Sequence, residues 1–238
     1  QSTIARVVDP AIVASAPAKP QKMRITGIAL VIGLFLGILL ALLLDRLDNT
    51  FKTSQDVEAR LGLPVLGVGQ LIKEPGKIAP QRIFIDDNQS GFAESIRTIR
   101  TAVMLSALDT PKKVLMVTSS VPEEGKTTIA INLAVALSHV KRVLLIDADM
   151  RRPSLGKSLG FAPDAPGLSH FVAGTAAISK CIYPFEGTSL HVMPSGLIPP
   201  NPLELLMSNR FKEVLTALSE TFDYIVIGAG TAGCLLAN

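Results

Sequence analysis

One uninterrupted apolar stretch lies near the start of the chain. Residues 25–44 carry no charged side chain and are almost entirely Leu, Ile, Ala, Gly, Val and Phe. At a rise of 1.5 Å per residue, about twenty helical residues cross the roughly 30 Å hydrocarbon core of a bilayer. A helix can do so because it satisfies its own backbone hydrogen bonds. The pattern therefore predicts a transmembrane helix over 25–44, with a buried core helix as the alternative.

Between this stretch and residue 85, the pattern predicts short and separate elements. A helix over 54–61 would begin at Thr53 or Ser54 and end at Gly62 and Pro64. The apolar residues 63–68 predict a short strand. Residues 74–82 combine Pro, Gly and charged side chains and predict a linker.

From about residue 86, amphipathic stretches alternate with short runs that are apolar throughout. Helices are predicted over 90–108, 126–140 and 201–220, and strands over 113–119, 142–149, 189–196 and 222–227. In the last helix, Asn201 is the expected N-cap and Pro202 lies in the first turn. Strands of this kind separated by helices indicate a parallel sheet covered on both faces. The predicted fold class is therefore α/β, resembling a P-loop NTPase.

Composition limits the classes of partner and site. The formal net charge of +3 is too small to indicate a nucleic-acid partner. The two cysteines, Cys181 and Cys234, follow no metal-binding or redox spacing. They are predicted to be unpaired thiols, as is usual in a reducing compartment.

A predicted phosphate-binding loop joins the strand over 113–119 to the helix that follows it. Residues 119–128 read SSVPEEGKTT and match G-x-x-x-x-G-K-[ST], except that Ser120 stands at the first position. Successive backbone N–H groups of such a loop cradle phosphate oxygens at a helix N-terminus. Lys126 would bridge the β- and γ-phosphates, and the Thr127 hydroxyl would hold Mg²⁺. The predicted nucleotide-binding residues are Ser120, Glu124, Gly125, Lys126, Thr127 and Thr128.

Two carboxylates follow the next predicted strand. Asp147 and Asp149 lie at its C-terminal end, where ligands bind in open α/β sheets. Such acids can order Mg²⁺ with its waters, or accept a proton from an attacking hydroxyl. Arg151 and Arg152 add positive charge beside them. Solvated acids at a strand end, without function, are the alternative.

The predicted nucleotide loop also decides the orientation of the membrane helix. Lys and Arg flank both ends of residues 25–44 in nearly equal number, so the positive-inside rule gives no answer. Because ATP is cytoplasmic, the C-terminal part is predicted to lie inside the cell and residues 1–24 outside. Gly33 and Gly37 form a G-x-x-x-G pair that allows close helix approach, which is weak evidence for association.

Taken in order, these motifs resemble the bacterial tyrosine kinases of capsule and exopolysaccharide export. The resemblance rests on the membrane span, SGFAESIRTIR, SSVPEEGKTT, LLIDADMRRP and MPSGLIPPNPLELL, and covers about residues 20–227. It implies that Lys126 and Thr127 bind ATP–Mg²⁺. It also implies that Asp147 and Asp149 are acceptor-activating and metal-linked acids, with Asp149 on the metal, although the division of the two roles stays open. Partitioning ATPases carry an extra lysine at the loop's second position, where this chain has Val121.

The same resemblance implies a cellular setting and partners. Glu94, Arg97 and Arg100 match the family's E-x-x-R-x-x-R element, which joins neighbouring subunits in a ring. A merely local Glu–Arg pair on one helix is the alternative. The implied location is the bacterial inner membrane, with the kinase domain cytoplasmic. The implied partners are further copies of the chain, an outer-membrane polysaccharide export protein, a polymerase and a cognate phosphatase.

The resemblance also divides the chain into segments with expected roles. Residues 1–24 would end a periplasmic region, and 25–44 would form the transmembrane helix. Residues 45–85 would be a juxtamembrane linker, and 86–227 a truncated tyrosine-kinase domain. Residues 228–238 form a tail of separate character.

The resemblance breaks after the strand over 222–227. The family's next motif has an Asp after this strand, whereas this chain has Gly228 and then a G-x-G-x-x-G pattern through Gly233. From Phe222 onward the sequence resembles the start of glucose–methanol–choline oxidoreductases, which bind FAD, but the acid expected about 20 residues later is not within the sequence. Tyr224 lies in a predicted buried strand and Tyr183 in a predicted loop, so a tyrosine acceptor is implied by the resemblance alone. The expected function is an ATP-dependent tyrosine autokinase impaired by loss of this acid, with a silent chain-length co-polymerase and an FAD oxidoreductase fragment as alternatives.

Overall fold

A computed structural model describes residues 20–47, 50–51, 53–72, 78–108, 112–121 and 123–228. The chain divides into two compact units, Gln1–Gly62 and Leu63–Asn238. The roles assigned above to segments of the chain stay predictions.

The described residues of the first unit form two helices, both predicted from the sequence. Helix α1, Lys22–Leu47, has 26 residues and all its side chains are exposed. It encloses the predicted span and is long and apolar enough to cross a membrane. Helix α2, Ser54–Leu61, begins with a capping box between Thr53 and Asp56. It ends at Gly62 in the left-handed conformation, with φ 66°.

The predicted strand over 63–68 is wrong. Residues 63–72 are described in full and adopt no regular secondary structure. They run beside helix α4, Gly91–Ser106, where the Ser95 hydroxyl donates to the Val68 carbonyl at 2.8 Å. The Ser95 hydroxyl thus donates to a carbonyl that would otherwise accept from the amide of a neighbouring strand.

The predicted linker over 74–82 is wrong at its C-terminal end; residues 73–77 lie outside the described residues. Pro80–Arg82 forms a 3₁₀-helix that runs into helix α3, Ile83–Asp86, with Ile83 and Phe84 buried. The buried Asn132 amide donates to the Pro80 carbonyl at 2.9 Å and accepts from the Phe84 amide at 2.9 Å. These bonds fix the segment to the domain core.

The described residues of the second unit form a five-stranded sheet. Its strands are β1, Val114–Val117; β2, Val143–Asp147; β3, Tyr183–Pro184; β4, Leu190–Met193; and β5, Tyr224–Gly228. Their order is β1-β5-β2-β4-β3. All neighbours are parallel except β3, a two-residue edge strand antiparallel to β4. The predicted α/β fold with a parallel sheet is confirmed, with this antiparallel edge added.

Helices cover both faces of the sheet. Helix α4 and helix α5, Lys126–Ser138, share one apolar cluster with Val143, Leu145 and Val226. Leu144 and Ile225, which alternate with these residues along β2 and β5, point to the opposite face. That face is covered by α7, Leu168–Ala173; α8, Pro202–Met207; and α9, Asn209–Thr221. A further short helix, α6, Leu155–Ser158, and a 3₁₀-helix, Ile178–Lys180, complete the described elements.

The predicted helix over 201–220 is two helices. Ser208 adopts an extended conformation, φ −66° and ψ 149°, between α8 and α9. Its hydroxyl accepts from the Phe211 amide at 3.2 Å and so caps α9. Asn201 stands at the N-cap position of α8, but within the described residues its side chain makes no capping bond.

Three side chains named in the sequence analysis have clear positions. Tyr224 is buried in β5, as predicted. Tyr183 lies in strand β3 rather than in a loop, and its hydroxyl donates to the Pro166 carbonyl at 3.2 Å. Cys181 is a buried free thiol, and Cys234 lies outside the described residues.

Asp223 ties the start of β5 to the start of β2. Its carboxylate accepts from the Arg142 amide at 2.9 Å, and the Arg142 guanidinium lies 3.7 Å away. The hydrogen bond from this amide is the main reason that the pKa of Asp223 is lowered. The charged form therefore stabilises the folded chain at neutral pH.

We expect Asp223→Ala to lower the free energy of unfolding by about 1 kcal/mol at pH 7, because the Arg142 amide loses its acceptor. A lowered folded pKa gives stability that is complete above the unfolded pKa and is lost as pH falls through the folded one. The difference from wild type should therefore fade in acid, which urea unfolding at several pH values measures. Asp223→Asn, which keeps an oxygen acceptor, is the control, and a difference from wild type that persists unchanged in acid would contradict the assignment.

Candidate nucleotide site

The predicted phosphate loop has the strand–loop–helix context that its chemistry requires. It leaves β1 and enters α5, whose first residues are Lys126 and Thr127. Gly125 precedes them with φ 83°, a left-handed conformation that glycine adopts without steric cost. The N–H groups of the first helical turn have no partner within the helix, so they are available to an anion.

The loop is also braced from within. The Glu124 carboxylate accepts from the Val121 amide at 3.1 Å, and the Ser119 hydroxyl donates to the Val121 carbonyl at 2.8 Å. Glu123 has φ 67°, an uncommon conformation for a residue with a side chain. Since a carboxylate repels phosphate, the observed contact of Glu124 shapes the loop. Its predicted place among the nucleotide-binding residues, with Ser120 and Thr128, stays a prediction.

The sheet order brings the predicted catalytic residues together. Strand β5 lies between β1 and β2, with Gly228 paired in register with Asp147, and the Gly228 carbonyl accepts from the Ala148 amide at 3.0 Å. The three strands thus end at one edge of the sheet, beside the start of α5. One cleft there is lined by Lys126, Thr127, Asp147, Asp149, Ser154, Leu155 and Gly228.

Asp147 is the buried acid of this cleft, with 2% of its surface exposed. Its two oxygens accept from the Asp149 amide at 3.1 Å and from the Leu155 amide at 3.2 Å. Burial raises its pKa to about 7 against the effect of these hydrogen bonds, and the negative charge of Asp149 adds to the rise. A carboxyl with a pKa near neutrality suits a group that accepts and releases a proton.

Asp149 is the more accessible acid. It is partly buried, and one of its oxygens accepts from the Arg152 amide at 3.1 Å. Arg151 and Arg152 are both exposed beside it. The two aspartates therefore differ in burial and in the amides that donate to them.

The donor set of the cleft, a hydroxyl and carboxylates, fits Mg²⁺. Within the described part of the chain, no group of three or more His, Cys, Asp or Glu side chains could hold a metal ion. What the cleft offers is a hydroxyl, carboxylates and access for phosphate, and Mg²⁺ binds through few protein oxygens, waters and substrate phosphates. Thr127 and Asp149 stay its predicted ligands.

Ser154 and Leu155 are residues of the cleft that sequence reasoning missed. The Ser154 hydroxyl lies 2.8 Å from the Thr127 hydroxyl, and the buried Leu155 packs near Gly228. The signal in the sequence was weak: a serine after Pro153, just before a four-residue helix. Gly228 was noted for the missing acid, and the structure places it on the cleft wall.

The Glu94, Arg97 and Arg100 element forms contacts within one copy of the chain. The Arg97 guanidinium donates to the Glu94 carboxylate at 2.8 Å and also to the Asn88 carbonyl. Arg100 donates to the Ala136 carbonyl of α5 at 3.4 Å. The local Glu–Arg pair is thus present, and the role of these residues between subunits stays a prediction.

Fold and site together define a P-loop nucleotide-binding domain of the kinase type. A family model described as an AAA domain matches residues 112–236. A second model, of a G-rich domain that occurs on tyrosine kinases, matches residues 1–46. The chain belongs to the bacterial tyrosine kinases that contain this AAA domain. The resemblance stated from its motifs is confirmed, while residues 229–238 of the predicted tail over 228–238 lie outside the described residues.

Similar proteins agree with this assignment. The tyrosine-protein kinase ptk of Acinetobacter johnsonii is 35% identical in an alignment that covers 93% of this chain and 31% of the relative. The tyrosine-protein kinase wzc of Salmonella typhimurium is 34% identical over 93% of this chain and 32% of its own length. The solved BceF tyrosine kinase domain superposes with a TM-score of 0.67 at 31% identity, over 75% of this chain and 76% of that domain. The chain therefore spans about a third of the curated relatives and about three quarters of the solved kinase domain.

We expect Gly125→Ala to weaken ATP–Mg²⁺ binding, because a Cβ makes the left-handed conformation cost about 1–2 kcal/mol. A clash is not the reason, since nothing lies within 4 Å of the added atom. Calorimetric titration with ATP and Mg²⁺ measures the effect.

Gly187→Ala is the matched control, because Gly187 has φ 77° and is equally open. It should lower the free energy of unfolding to a similar degree and leave nucleotide affinity unchanged. Equal loss of affinity in both variants would show that the conformation of the loop at Gly125 has no special role in binding.

Proposed function

We propose that this chain is the membrane-anchored part of an ATP-dependent protein-tyrosine autokinase. The observation that carries the proposal is the convergence of Lys126, Thr127, Asp147 and Asp149 on one cleft at the end of the sheet. The two relatives named above are tyrosine-protein kinases, which supports tyrosine as the phosphate acceptor. Helix α1 supports the membrane anchor.

In this proposal, four residues of the cleft take part in phosphate transfer. Backbone N–H groups of the loop and of α5 bind the phosphates, and Lys126 neutralises charge on the β- and γ-phosphates. Thr127 and Asp149 would hold Mg²⁺, which would stabilise the charge on the transferring group. Asp147 accepts the proton of the substrate tyrosine hydroxyl. The tyrosine oxygen then bonds to the γ-phosphorus, and the bond between this phosphorus and ADP breaks. The pKa of Asp147, raised to about 7, suits this role.

The setting is proposed from the relatives. One relative is described as lying in the cps region of Klebsiella pneumoniae, which supports a role in capsule or exopolysaccharide polymerisation and export. The kinase domain would lie on the cytoplasmic side of the inner membrane, where ATP is available. Copies of the chain would form a ring through Glu94, Arg97 and Arg100. An outer-membrane export protein, a polymerase and a cognate phosphatase would be partners of the longer protein.

A catalytically silent chain-length co-polymerase is the second candidate, and Gly228 favours it. This residue lines the cleft at the end of β5, where the family has a carboxylate that helps to hold Mg²⁺. ATP binding without phosphate transfer would identify this function. The autokinase proposed above is expected to have a reduced activity because of this loss.

We expect Lys126→Met to abolish ATP–Mg²⁺ binding in calorimetry, because the ammonium group that neutralises the phosphates is removed. Lys141→Met, at an exposed position outside the cleft, is the control and should bind as wild type. Unchanged affinity in Lys126→Met would remove the nucleotide site from the proposal.

We expect Gly228→Asp to raise Mg²⁺-dependent phosphate transfer by about 10- to 100-fold, the usual worth of a group that supports a metal site. The site has room, since an added Cβ lies at ordinary contact distances, 3.7 Å from the Leu155 side chain and 3.8 Å from the Ile146 carbonyl. Transfer of labelled phosphate to the chain measures the effect.

Gly228→Asn, of equal size and without charge, is the control for that gain. An equal gain with Asn would assign the effect to packing. No gain with Asp would show that the missing acid does not limit the reaction.

A further inference from the structure

The hydroxyl of Ser154 has an unusual partner for its position. Ser154 stands at the N-cap of α6, where a serine side chain normally accepts a bond from the helix that it precedes. Within the described residues it makes no such capping bond. Its oxygen instead lies 2.8 Å from the Thr127 hydroxyl, across the cleft.

The capping role is taken by Asp147, which holds Ser154 in place. The Leu155 amide donates to the Asp147 carboxylate at 3.2 Å. The Leu155 side chain is 2% exposed and packs beside Gly228. Residue 155 is thus fixed by both its backbone and its side chain, and Ser154, one residue earlier, is directed towards Thr127.

A hydroxyl that binds a metal needs an acceptor for its proton. A hydroxyl group has one proton to donate and two lone pairs. When a lone pair of Thr127 points to Mg²⁺, its O–H points elsewhere and is made a stronger donor by the metal's charge. An oxygen already at hydrogen-bond distance fixes the direction of both the proton and the lone pair.

We propose that Ser154 is a positioning residue for the metal, an inference that rests on the proposed function. Its oxygen accepts the Thr127 proton and so directs the Thr127 lone pair to Mg²⁺. Ser154 does not touch nucleotide in this arrangement and acts through Thr127 alone. The effect of losing it therefore falls on the metal-dependent part of nucleotide affinity.

The test compares ATP affinity in Mg²⁺ with ATP affinity in EDTA, using the whole chain in detergent micelles. In Ser154→Ala, affinity in Mg²⁺ should fall by about three- to tenfold, the usual worth of one hydrogen bond. Affinity in EDTA should stay as in wild type. Ser154→Thr, which keeps the hydroxyl, should restore the wild-type ratio.

Two further variants separate positioning from structure. Ser158→Ala, at the other end of α6, should leave the ratio of the two affinities unchanged. In a Thr127→Val background, Ser154→Ala should have no further effect, because the proton that it accepts is gone.

The outcomes are distinct. Equal loss of affinity in Mg²⁺ and EDTA would show a structural role and overturn the inference. An unchanged ratio in Ser154→Ala, with wild type binding ATP–Mg²⁺, would overturn it alone. A wild-type chain that binds no ATP under either condition would overturn the proposed function and this inference together.

Discussion

The pair of hydrogen bonds accepted by Asp147 organises the whole cleft. One carboxylate at the end of β2 receives the amides of Asp149 and Leu155. The bond from the Asp149 amide shapes the turn that carries Asp149. The bond from the Leu155 amide fixes the start of α6. Burial of this carboxyl opposes its ionisation and raises its pKa to about 7. The hydrogen bonds of this acid thus set the geometry of the cleft, and its burial gives the raised pKa on which its proposed role as proton acceptor depends.

The phosphate loop follows a different principle, because its shape is set by backbone conformation. Gly125 adopts a left-handed conformation at no cost, and Glu123 adopts one as an ordinary residue. The Glu124 carboxylate closes the loop on the Val121 amide. Two acidic side chains in a loop for anions look unsuitable in the sequence, yet one of them is engaged with the loop's own backbone.

The sequence was sufficient where the signal is local. Helix α5, the strands β2 and β5, and the loop between β1 and α5 follow from apolar runs and from G-K-T spacing. It failed where a distant contact decides the outcome. Residues 63–68 have the composition of a strand, but the Ser95 hydroxyl of helix α4 donates to the Val68 carbonyl. A local feature was also missed: Ser208 is predicted as an interior helical residue, but its extended conformation and its capping bond from the Phe211 amide divide α8 from α9. Ser154 could not be found because its role depends on Thr127, 27 residues away.

Gly228 and Ser154 both line the cleft in which Mg²⁺ is proposed to bind. The register of the sheet places Gly228 beside Asp147, where a carboxylate would add an oxygen to the Mg²⁺ shell. With glycine there, Thr127 and Asp149 are the proposed ligands that remain among the residues of the cleft. Each would then contribute a larger share of the metal affinity, and the direction of the Thr127 lone pair would matter more. In the proposed site, an acid missing from β5 would therefore make the hydroxyl pair of Thr127 and Ser154 more important.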